Sequence, residues 1–448
     1  MTTYRMRTAL RHQKTPKILE SAKKRLTRLE MHAWRLLFLK EQTAIKAFQT
    51  KKTMEFSNVE RCGVLLAIFI GVLFFKDCWV SICPYKVIAK RPDIEYRFTL
   101  TSGSHIVMEL DSVTLSSVHY LQYFKENEIE YMYLLNEYNN SIYRYKLNDR
   151  SIDKILHTNR YESGELQGFV INSPDSIYLY SSYNKEISEI VKDSVTWHYL
   201  IRPSPDVNKR PMIYPSPFLT TISPLKKYGD TFVMSGLVAG ETWLENESNR
   251  PAIICAERKS ETTSYLVNYP EMYQKANWEG GLTYRLPFFE LHKNSILVSF
   301  AANNYLVCYD LKTKKQLNRY AGSKYVKTIR SFPHDKKDIT YSRAEAWKWY
   351  LRNSSYEGIL RDNYRNVYYR FCRLPADHAD NIKIYNPKPI SIIILDSTLN
   401  IVGETKLNQS VSYNSWNSFV SKEGLNIQVI DSIDNHIKFE TFLLKQVK

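Results

Sequence analysis

The chain has 448 residues and a formal net charge of +16, and its length fits one large domain or two ordinary ones. Most of the excess charge lies in the first 61 residues, which hold fifteen Lys and Arg against five Asp and Glu. The other 387 residues hold 47 basic and 41 acidic groups. This near balance argues against a nucleic-acid-binding body, so no nucleic-acid partner is expected.

An apolar run follows the basic N-terminal segment, in RCGVLLAIFIGVLFFKDCWV (61–80). Its uncharged part, residues 62–75, is short for a membrane-spanning helix, which needs about 20 residues, and matches the roughly 7–15-residue core of an export signal. Extending it to residue 85 gives enough length for a span, and the preceding basic residues indicate a cytoplasmic N-terminus. A buried core helix is the alternative. We interpret the run as an export signal or membrane anchor.

Three segments are therefore predicted: a basic N-terminal extension (1–61), a signal peptide or membrane anchor (62–85) and a body (90–448). A chain starting at Met54 would carry a compact export signal, and residues 1–53 would then be untranslated or dispensable. Alternatively, residues 23–52 form a basic amphipathic helix on the inner leaflet of the membrane. One sequence leaves both alternatives open.

Cys78 directly follows the apolar run and is a candidate for lipidation. A bacterial lipobox has an aliphatic residue three positions before the cysteine and a small one just before it, whereas Phe75 and Asp77 occupy these positions here. Simple retention of the run as an anchor is the alternative. The remaining cysteines of the body, in apolar strand-like runs, are predicted to be buried free thiols: Cys255, Cys308 and Cys372.

The body is predicted to be all-β, because aromatic and β-branched residues alternate with polar ones over four to eight positions. The clearest strand patterns are IYRYKL (142–147), SIYLYSS (176–182), YLVCYDL (305–311), NVYYRFCRL (366–374) and ISIIILDS (390–397). The one helix pattern is SRAEAWKWYLRNS (342–354). Glycine is scarce, so Asn, Asp and Ser are expected to form the turns.

A repeated strand–turn–strand pattern predicts a β-propeller. Copies of one sheet unit are predicted at 131–156, 174–191, 229–267, 293–320, 357–407 and 419–444. Six units indicate six blades, and seven remain open. The early strand RFTLTSGSHIVMEL (97–110) is expected to close the ring by pairing with the last unit, which would remove exposed sheet edges. A β-sandwich with long loops is the alternative.

The body resembles the uncharacterised family of six-bladed β-propeller lipoproteins found in Bacteroides and its relatives. The resemblance covers roughly residues 90–448 and is carried by NNSIYRYKL, SPDSIYLYSSYNKEI, YEGILRDNYRNVYYRFCRLP and WNSFVSKEGLNI. It implies a propeller fold, a bacterial cell envelope location and a lipidated N-terminal cysteine. The body would then lie in the periplasm or on the cell surface. The family brings no established activity to carry over.

No sequence motif points to catalysis. The chain contains no HExxH, GxSxG, P-loop or dinucleotide fingerprint, and no two histidines are spaced i,i+4. No cofactor or metal site is expected, and an enzyme is the less favoured interpretation.

The densest unusual cluster offers Arg361, Arg365, Tyr368 and Arg370 as candidate ligand-binding residues. Tyr and Arg side chains can stack on sugar rings or bind carboxylates and phosphates. The alternative is that the rings pack between blades and the arginines pair with local acids.

Asp-Ser followed by a β-branched residue recurs five times and resembles an O-glycosylation signal of exported Bacteroides proteins. The candidate serines are Ser112, Ser176, Ser194, Ser397 and Ser432. A turn that leads into a strand uses the same residue types, so the two interpretations are compatible.

These observations predict an envelope-anchored propeller that acts as a non-enzymatic binding or scaffold protein. The expected ligand is a glycan, a peptide or a partner protein, held at the central funnel or on a loop face. The alternative is a hydrolase or lyase that acts on glycans, which a close carboxylate pair at the funnel would favour.

Overall fold

The structure is a computed structural model that describes residues 84–447, apart from 117, 159–164, 203–214, 238–249, 279–281, 334–341, 378–387 and 432–434. These residues belong to one compact unit, Ile82–Lys448. The apolar run, Met54, Cys78 and Ser432 lie outside the described residues, so the predictions made for them remain predictions. Among the described residues, no helix has the length and apolarity that a membrane crossing requires.

Strands are numbered along the chain, and two of them, β1 (Lys86–Ile88) and β2 (Phe98–Glu109), precede the first sheet. The first sheet contains β3 (Leu121–Glu126), β4 (Ile129–Asn136), β5 (Ser141–Lys146) and β6 (Ile152–His157). The second contains β7 (Leu166–Ser173), β8 (Ser176–Ser181), β9 (Glu186–Val191) and β10 (Ser194–Leu200). Both are antiparallel meanders, in which each strand pairs with the next along the chain.

The third sheet contains β11 (Ser216–Pro217), β12 (Lys226–Tyr228), β13 (Thr231–Leu237), β14 (Pro251–Glu257) and β15 (Thr262–Asn268). The fourth contains β16 (Pro287–His292), β17 (Ser295–Phe300), β18 (Tyr305–Asp310) and β19 (Gln316–Tyr320). After it comes β20 (Thr328–Arg330), which pairs with β1 outside the main sheets. Three short helices are described: α1 (Met272–Lys275), α2 (Leu282–Arg285) and α3 (Arg343–Arg352).

The fifth sheet contains β21 (Ser355–Asp362), β22 (Val367–Arg373), β23 (Ile390–Leu395) and β24 (Ile401–Lys406). The last contains β25 (Tyr413–Val420), β26 (Leu425–Val429), β27 (His436–Gln446) and, as its fourth strand, β2. One parallel bridge, Phe98 to Gly403, joins β2 to β24 and links these two sheets. The described residues therefore form six units, five with four strands and one, the third sheet, whose first strand is divided into β11 and β12, which is the architecture of a six-bladed propeller.

The predicted ring closure is confirmed. Strand β2 pairs with β27 from Phe98 opposite Gln446 to Glu109 opposite His436, with one irregularity after Ser102. Segments from the two ends of the described chain thus build one sheet. The facing edges of β2 and β27 are hydrogen-bonded to each other and are not left unpaired.

The sequence patterns of the body are confirmed strand by strand. Each of the five strand patterns falls on an observed strand: β5, β8, β18, β22 and β23. The helix pattern falls on α3, where Ser342 Oγ accepts a hydrogen bond from the Glu345 backbone N–H and the Glu345 side chain accepts one from the Ser342 N–H. Asn residues serve the turns as expected, with positive φ at Asn127, Asn140 and Asn366.

The six units define two faces of the domain. The tight-turn face carries the short turns that join first to second and third to fourth strands, such as 127–128 and 147–151. The long-connection face carries the second-to-third turns and the connections between sheets, including β20 and α3. Neighbouring tight turns touch: Arg365, after β21, donates to the Lys422 carbonyl after β25.

The first strand of the third sheet is divided. Both β11 and β12 pair with β13, and residues 218–225 loop out between them. Ile222 in this loop is fully buried and reaches the fifth sheet, where an added Cβ on Gly358 would lie 2.6 Å from its Cδ1. The loop is also tied to the last and first sheets, because Thr221 Oγ1 donates to Asn417 and accepts from the Leu121 N–H.

Strand β1 extends the folded body to a point before residue 90, where the body was predicted to begin. Its Val87 side chain packs against the largest apolar core, as does the fully buried Ile329 of β20. Residues 84–97 therefore form part of the domain rather than a free linker.

The junction between β2 and β24 gives a direct test of ring closure. A Cβ at Gly403 would lie 2.2 Å from the backbone oxygen of Phe98, so Gly403→Ala should push β2 away and lower the free energy of unfolding by about 1–3 kcal/mol. Urea denaturation measures the change. Ser397→Ala, at an exposed position in the turn before β24, is the control and should stay within about 0.5 kcal/mol of the parent. Equal stability of both variants would contradict the placement of β2.

Candidate functional site

Arg370, on β22, is fully buried and binds the neighbouring fourth sheet. Its guanidinium lies 4.0 Å from the ring centroid of Tyr356 and donates to four oxygens: Ser299 Oγ (3.0 Å), Asn303 O (2.8 Å), Asn304 O (3.3 Å) and Ala321 O (2.9 Å). Burial lowers its pKa to about 10, so it stays charged at neutral pH. A ligand-contact role does not fit this burial, because the guanidinium has no open side.

Arg365 also joins two sheets. Its guanidinium binds the fully buried Asp362 carboxylate at 3.0 Å and the Lys422 and Glu423 carbonyl oxygens at 2.6 and 2.5 Å. Asp362 in turn accepts from the Tyr369 hydroxyl at 2.9 Å, and burial with this carboxylate raises the pKa of Tyr369. Most donors of Arg365 are therefore engaged within the protein, and the geometry favours a structural role.

Arg361 differs from these two arginines. It is half-buried, at the tight-turn end of β21, and its guanidinium lies 4.5 Å from the ring centroid of Tyr368. It donates to Asn366 and, at 3.5 Å, to the Val367 carbonyl, while its Nε is buried without an acceptor among the described residues. The bond to Asn366 is exposed, so the Nη2 end of the guanidinium lies near solvent.

The surroundings of Arg361 are cationic. Tyr368 is buried between Arg361 and His292. The rings of Tyr368 and His292 meet edge to face, with their centroids 6.2 Å apart. Burial, followed by the charges of Arg361 and Lys293, lowers the pKa of His292. We refer to Arg361, His292, Lys293 and Tyr368 as the Arg361 cluster. The nearby Glu290 carboxylate is already engaged, because it accepts from Lys226 and from the Arg361 N–H at 3.1 Å.

Where a central binding funnel was predicted, the first strands of neighbouring sheets contact one another and enclose a cluster of apolar side chains. Ile222, Leu237, Leu286 and Phe288 form a buried cluster, against which Trp416 packs with its ring 5.8 Å from that of Phe288. These residues come from the third, fourth and last sheets. The packing favours the loop face over the funnel as the place for a ligand.

A second buried polar network connects the fifth and last sheets. The Glu357 carboxylate accepts from Arg373 (3.1 Å), Ser415 Oγ (2.5 Å) and Trp416 Nε1 (3.2 Å). Lys388, beside it, donates to the Asn353 and Tyr350 carbonyl oxygens, and burial lowers its pKa to about 7. Glu357, Arg373, Ser415 and Lys388 are buried, so we assign the network to the joining of sheets.

A cleft of about 390 Å³ lies between the first and second sheets. It is lined by Tyr133, Ile142, Arg144, Lys154, Leu156, Pro174, Asp175, Ile177, Ile190, Lys192 and Asp193. Its charges are largely paired, since Asp153 binds Arg144 and Lys146 while Asp193 lies 3.8 Å from Lys154. No group of three or more metal-ligating side chains occurs in the described part of the chain.

The candidate modification serines differ in access. Ser112, Ser194 and Ser397 are exposed, whereas Ser176 is 8% exposed and accepts a hydrogen bond from Asn172. The predicted free thiols Cys255, Cys308 and Cys372 are confirmed as free and buried.

The sequence did not single out His292, Lys293 or Lys226. His292 ends β16 and Lys293 follows it, about 70 residues before Arg361, so only the packing of the fourth sheet against the fifth brings them together. The one available signal was the His-Lys pair at the turn of the repeat unit 293–320.

The contrast between the arginines can be measured as stability. Arg370→Met removes the N–H groups that donate to several buried oxygens, and it should lower the free energy of unfolding by about 3–5 kcal/mol. Arg361→Met, at a half-buried site, should lower it by less than about 1 kcal/mol. Urea denaturation of the two variants compares them directly. Equal losses, or a larger loss for Arg361→Met, would refute the assignment of Arg370 to structure and Arg361 to the surface site.

Comparisons with known proteins agree with this fold. A domain of unknown function, DUF4221, matches residues 97–406. The crystal structure of a DUF4221 member from Bacteroides vulgatus is 18% identical, with a TM-score of 0.63, and the alignment covers 79% of this chain and 100% of that one. The similarity to this crystal structure supports the fold alone.

Two other solved structures are more distant. A Bacteroides fragilis protein thought to be exported is 9% identical, with a TM-score of 0.44 over 80% of this chain and 98% of that one. Virginiamycin B lyase from Staphylococcus aureus is 13% identical, with a TM-score of 0.37 over 77% and 99%. Neither similarity bears on function, and no curated protein matches the chain significantly. The match over residues 97–406 spans more than half of the sequence, and the chain belongs to the DUF4221 family of domains of unknown function.

Proposed function

We propose that this propeller is a non-enzymatic binding protein of the bacterial cell envelope, and that the Arg361 cluster binds an acidic glycan. The observation that carries the proposal is the half-buried Arg361 guanidinium, which is stacked on Tyr368 and whose Nη2 end, at Asn366, is exposed. Arg365 and Arg370 use their donors inside the protein, so Arg361 is the member of the predicted cluster that retains capacity for a ligand.

The chemistry of the cluster selects a ligand with a negative charge. A guanidinium binds carboxylates and phosphates through paired N–H donors. Burial lowers the pKa of His292 first, and the charges of Arg361 and Lys293 lower it further. An anionic group placed there would offset the positive charges of Arg361 and Lys293. A sugar ring beside the carboxylate can contact the exposed Tyr364, which lies in the same turn as Asn366.

The envelope location rests on residues 61–80, as either a cleaved signal with lipidation at Cys78 or a retained anchor. Exposed Ser112, Ser194 and Ser397 are the accessible positions for O-glycosylation of an exported protein. The envelope location and the O-glycosylation are both part of the proposal.

A glycan array that contains uronate-bearing and phosphorylated glycans beside their neutral counterparts tests the proposed ligand class. The parent protein should bind acidic members in preference to neutral ones. Arg361→Ala should weaken binding by about 1.5–3 kcal/mol, about 10- to 150-fold, the range for charge-assisted hydrogen bonds. Arg319→Ala, an exposed arginine on the outer strand β19, is the matched control and should bind as the parent does.

Two results would contradict the proposal. One is equal binding of acidic and neutral glycans. The other is unchanged acidic-glycan binding by Arg361→Ala when its melting temperature equals that of the parent.

A further inference from the structure

A basic surface surrounds the point where the chain enters the domain. Residues 84–92 and 323–333, which include the paired strands β1 and β20, contain six Lys and Arg and no Asp or Glu. The net charge of these two segments, +6, equals the net charge of all residues after 61, which hold 47 basic and 41 acidic groups. We refer to these two segments together with α3 as the β1–β20 surface. The excess positive charge of the body is therefore largely concentrated in one place.

The register of the two strands exposes this charge. Val87 lies opposite Ile329 and both pack on the core, so the residues on either side of them point outward. Lys86 lies directly opposite Arg330, and like charges at opposed positions destabilise a strand pair. Neither side chain has an ion-pair partner among the described residues, and both are exposed. A bound anion would remove this repulsion.

Other exposed residues add further positive charge and apolar area to the β1–β20 surface. Lys90 and Lys327 are exposed and lack an acidic partner among the residues that the structure describes. Ile88 is 65% exposed and projects on the same side as Lys86. Helix α3 packs beside β20, because Trp349 Nε1 donates to the Ser331 carbonyl at 3.1 Å.

Aromatic rings lie among these cations. The partly exposed large side chains are Tyr85, Tyr325 and Trp347. Tyr and Trp are enriched where a protein meets the membrane–water interface, and clustered Lys and Arg attract anionic headgroups. The combination of unpaired cations, aromatic rings and one exposed isoleucine matches a lipid surface.

The position of the surface in the chain supports the same partner. Only ten residues separate Phe75, the end of the apolar run, from Lys86. Ten residues span at most about 35 Å when extended. If the apolar run inserts in a bilayer, β1 cannot lie far from the headgroups.

We propose that the β1–β20 surface docks on anionic lipid headgroups. The proposal rests on the proposed envelope location. It gives the domain an orientation, because this surface belongs to the long-connection face whereas Arg361 lies on the tight-turn face. Docking would leave the Arg361 cluster directed away from the lipid.

Lysine footprinting of the full chain tests the docking. The protein is reconstituted in nanodiscs of phosphatidylcholine, with or without phosphatidylglycerol, and lysines are acetylated and quantified by mass spectrometry. Modification of Lys86, Lys90 and Lys327 should be severalfold slower on the anionic discs, and high salt should abolish the difference. Lys312 and Lys314, in an exposed turn of the tight-turn face, should react at the same rate on both discs.

A charge reversal separates specific docking from general attraction. Arg330→Glu leaves the three reporter lysines in place and should remove their protection on anionic discs. Arg319→Glu makes the same charge change on β19, outside the β1–β20 surface. In this variant the three lysines should remain protected on anionic discs.

The outcomes distinguish docking from anchoring. If the chain stays in the discs but its patch lysines react equally with both lipids, docking is overturned and the anchor stands. If the chain does not enter the discs, the anchor fails, and the same footprint is measured with phosphatidylglycerol vesicles in solution. Absence of salt-sensitive protection there overturns docking as well.

Discussion

The pairing of β2 with β27 is the interaction on which the rest of the domain depends. Strand β2 lies before the first sheet in the chain, yet it is the fourth strand of the last sheet. Backbone hydrogen bonds between segments more than 300 residues apart therefore complete the last sheet, and the chain that runs on from β2 to β3 connects it to the first sheet. Without this pairing β27 would present an open edge, and the apolar faces between neighbouring sheets would lose their partners.

Buried charges join the sheets that this closure brings together. Arg370 satisfies four oxygens of the fourth sheet from its place in the fifth, and Glu357 with Arg373 and Ser415 ties the fifth to the last. Such residues resemble ligand-binding residues in composition, and only burial separates the two roles. Within one short stretch, Arg361 remains half-exposed while Arg370 is fully enclosed. The half-exposed guanidinium therefore lies at the tight turns, whereas the enclosed one lies between packed sheets.

Much of the fold could be predicted from local patterns. Strands β5, β8, β18, β22 and β23 follow the alternation of aromatic and polar residues, and α3 follows its capping residues. The closing role of residues 97–110 followed from the need to cover an edge. The packing of Ile222 against Gly358 could not be predicted, because it depends on the interruption between β11 and β12. The cationic neighbours of Arg361 were also hidden, since His292 and Lys293 come from another sheet.

Native-state hydrogen exchange tests ring closure most directly. Strand β2 and strand β19 are both outer strands with exposed faces, but only β2 joins the ends of the ring. If closure holds the domain together, the hydrogen-bonded amides of β2 should exchange only on global unfolding, with the same free energy as those of buried β22. Amides of β19 should exchange through smaller local openings. Exchange of β2 at free energies as low as those of β19 would contradict the account, because the ring would then open without unfolding.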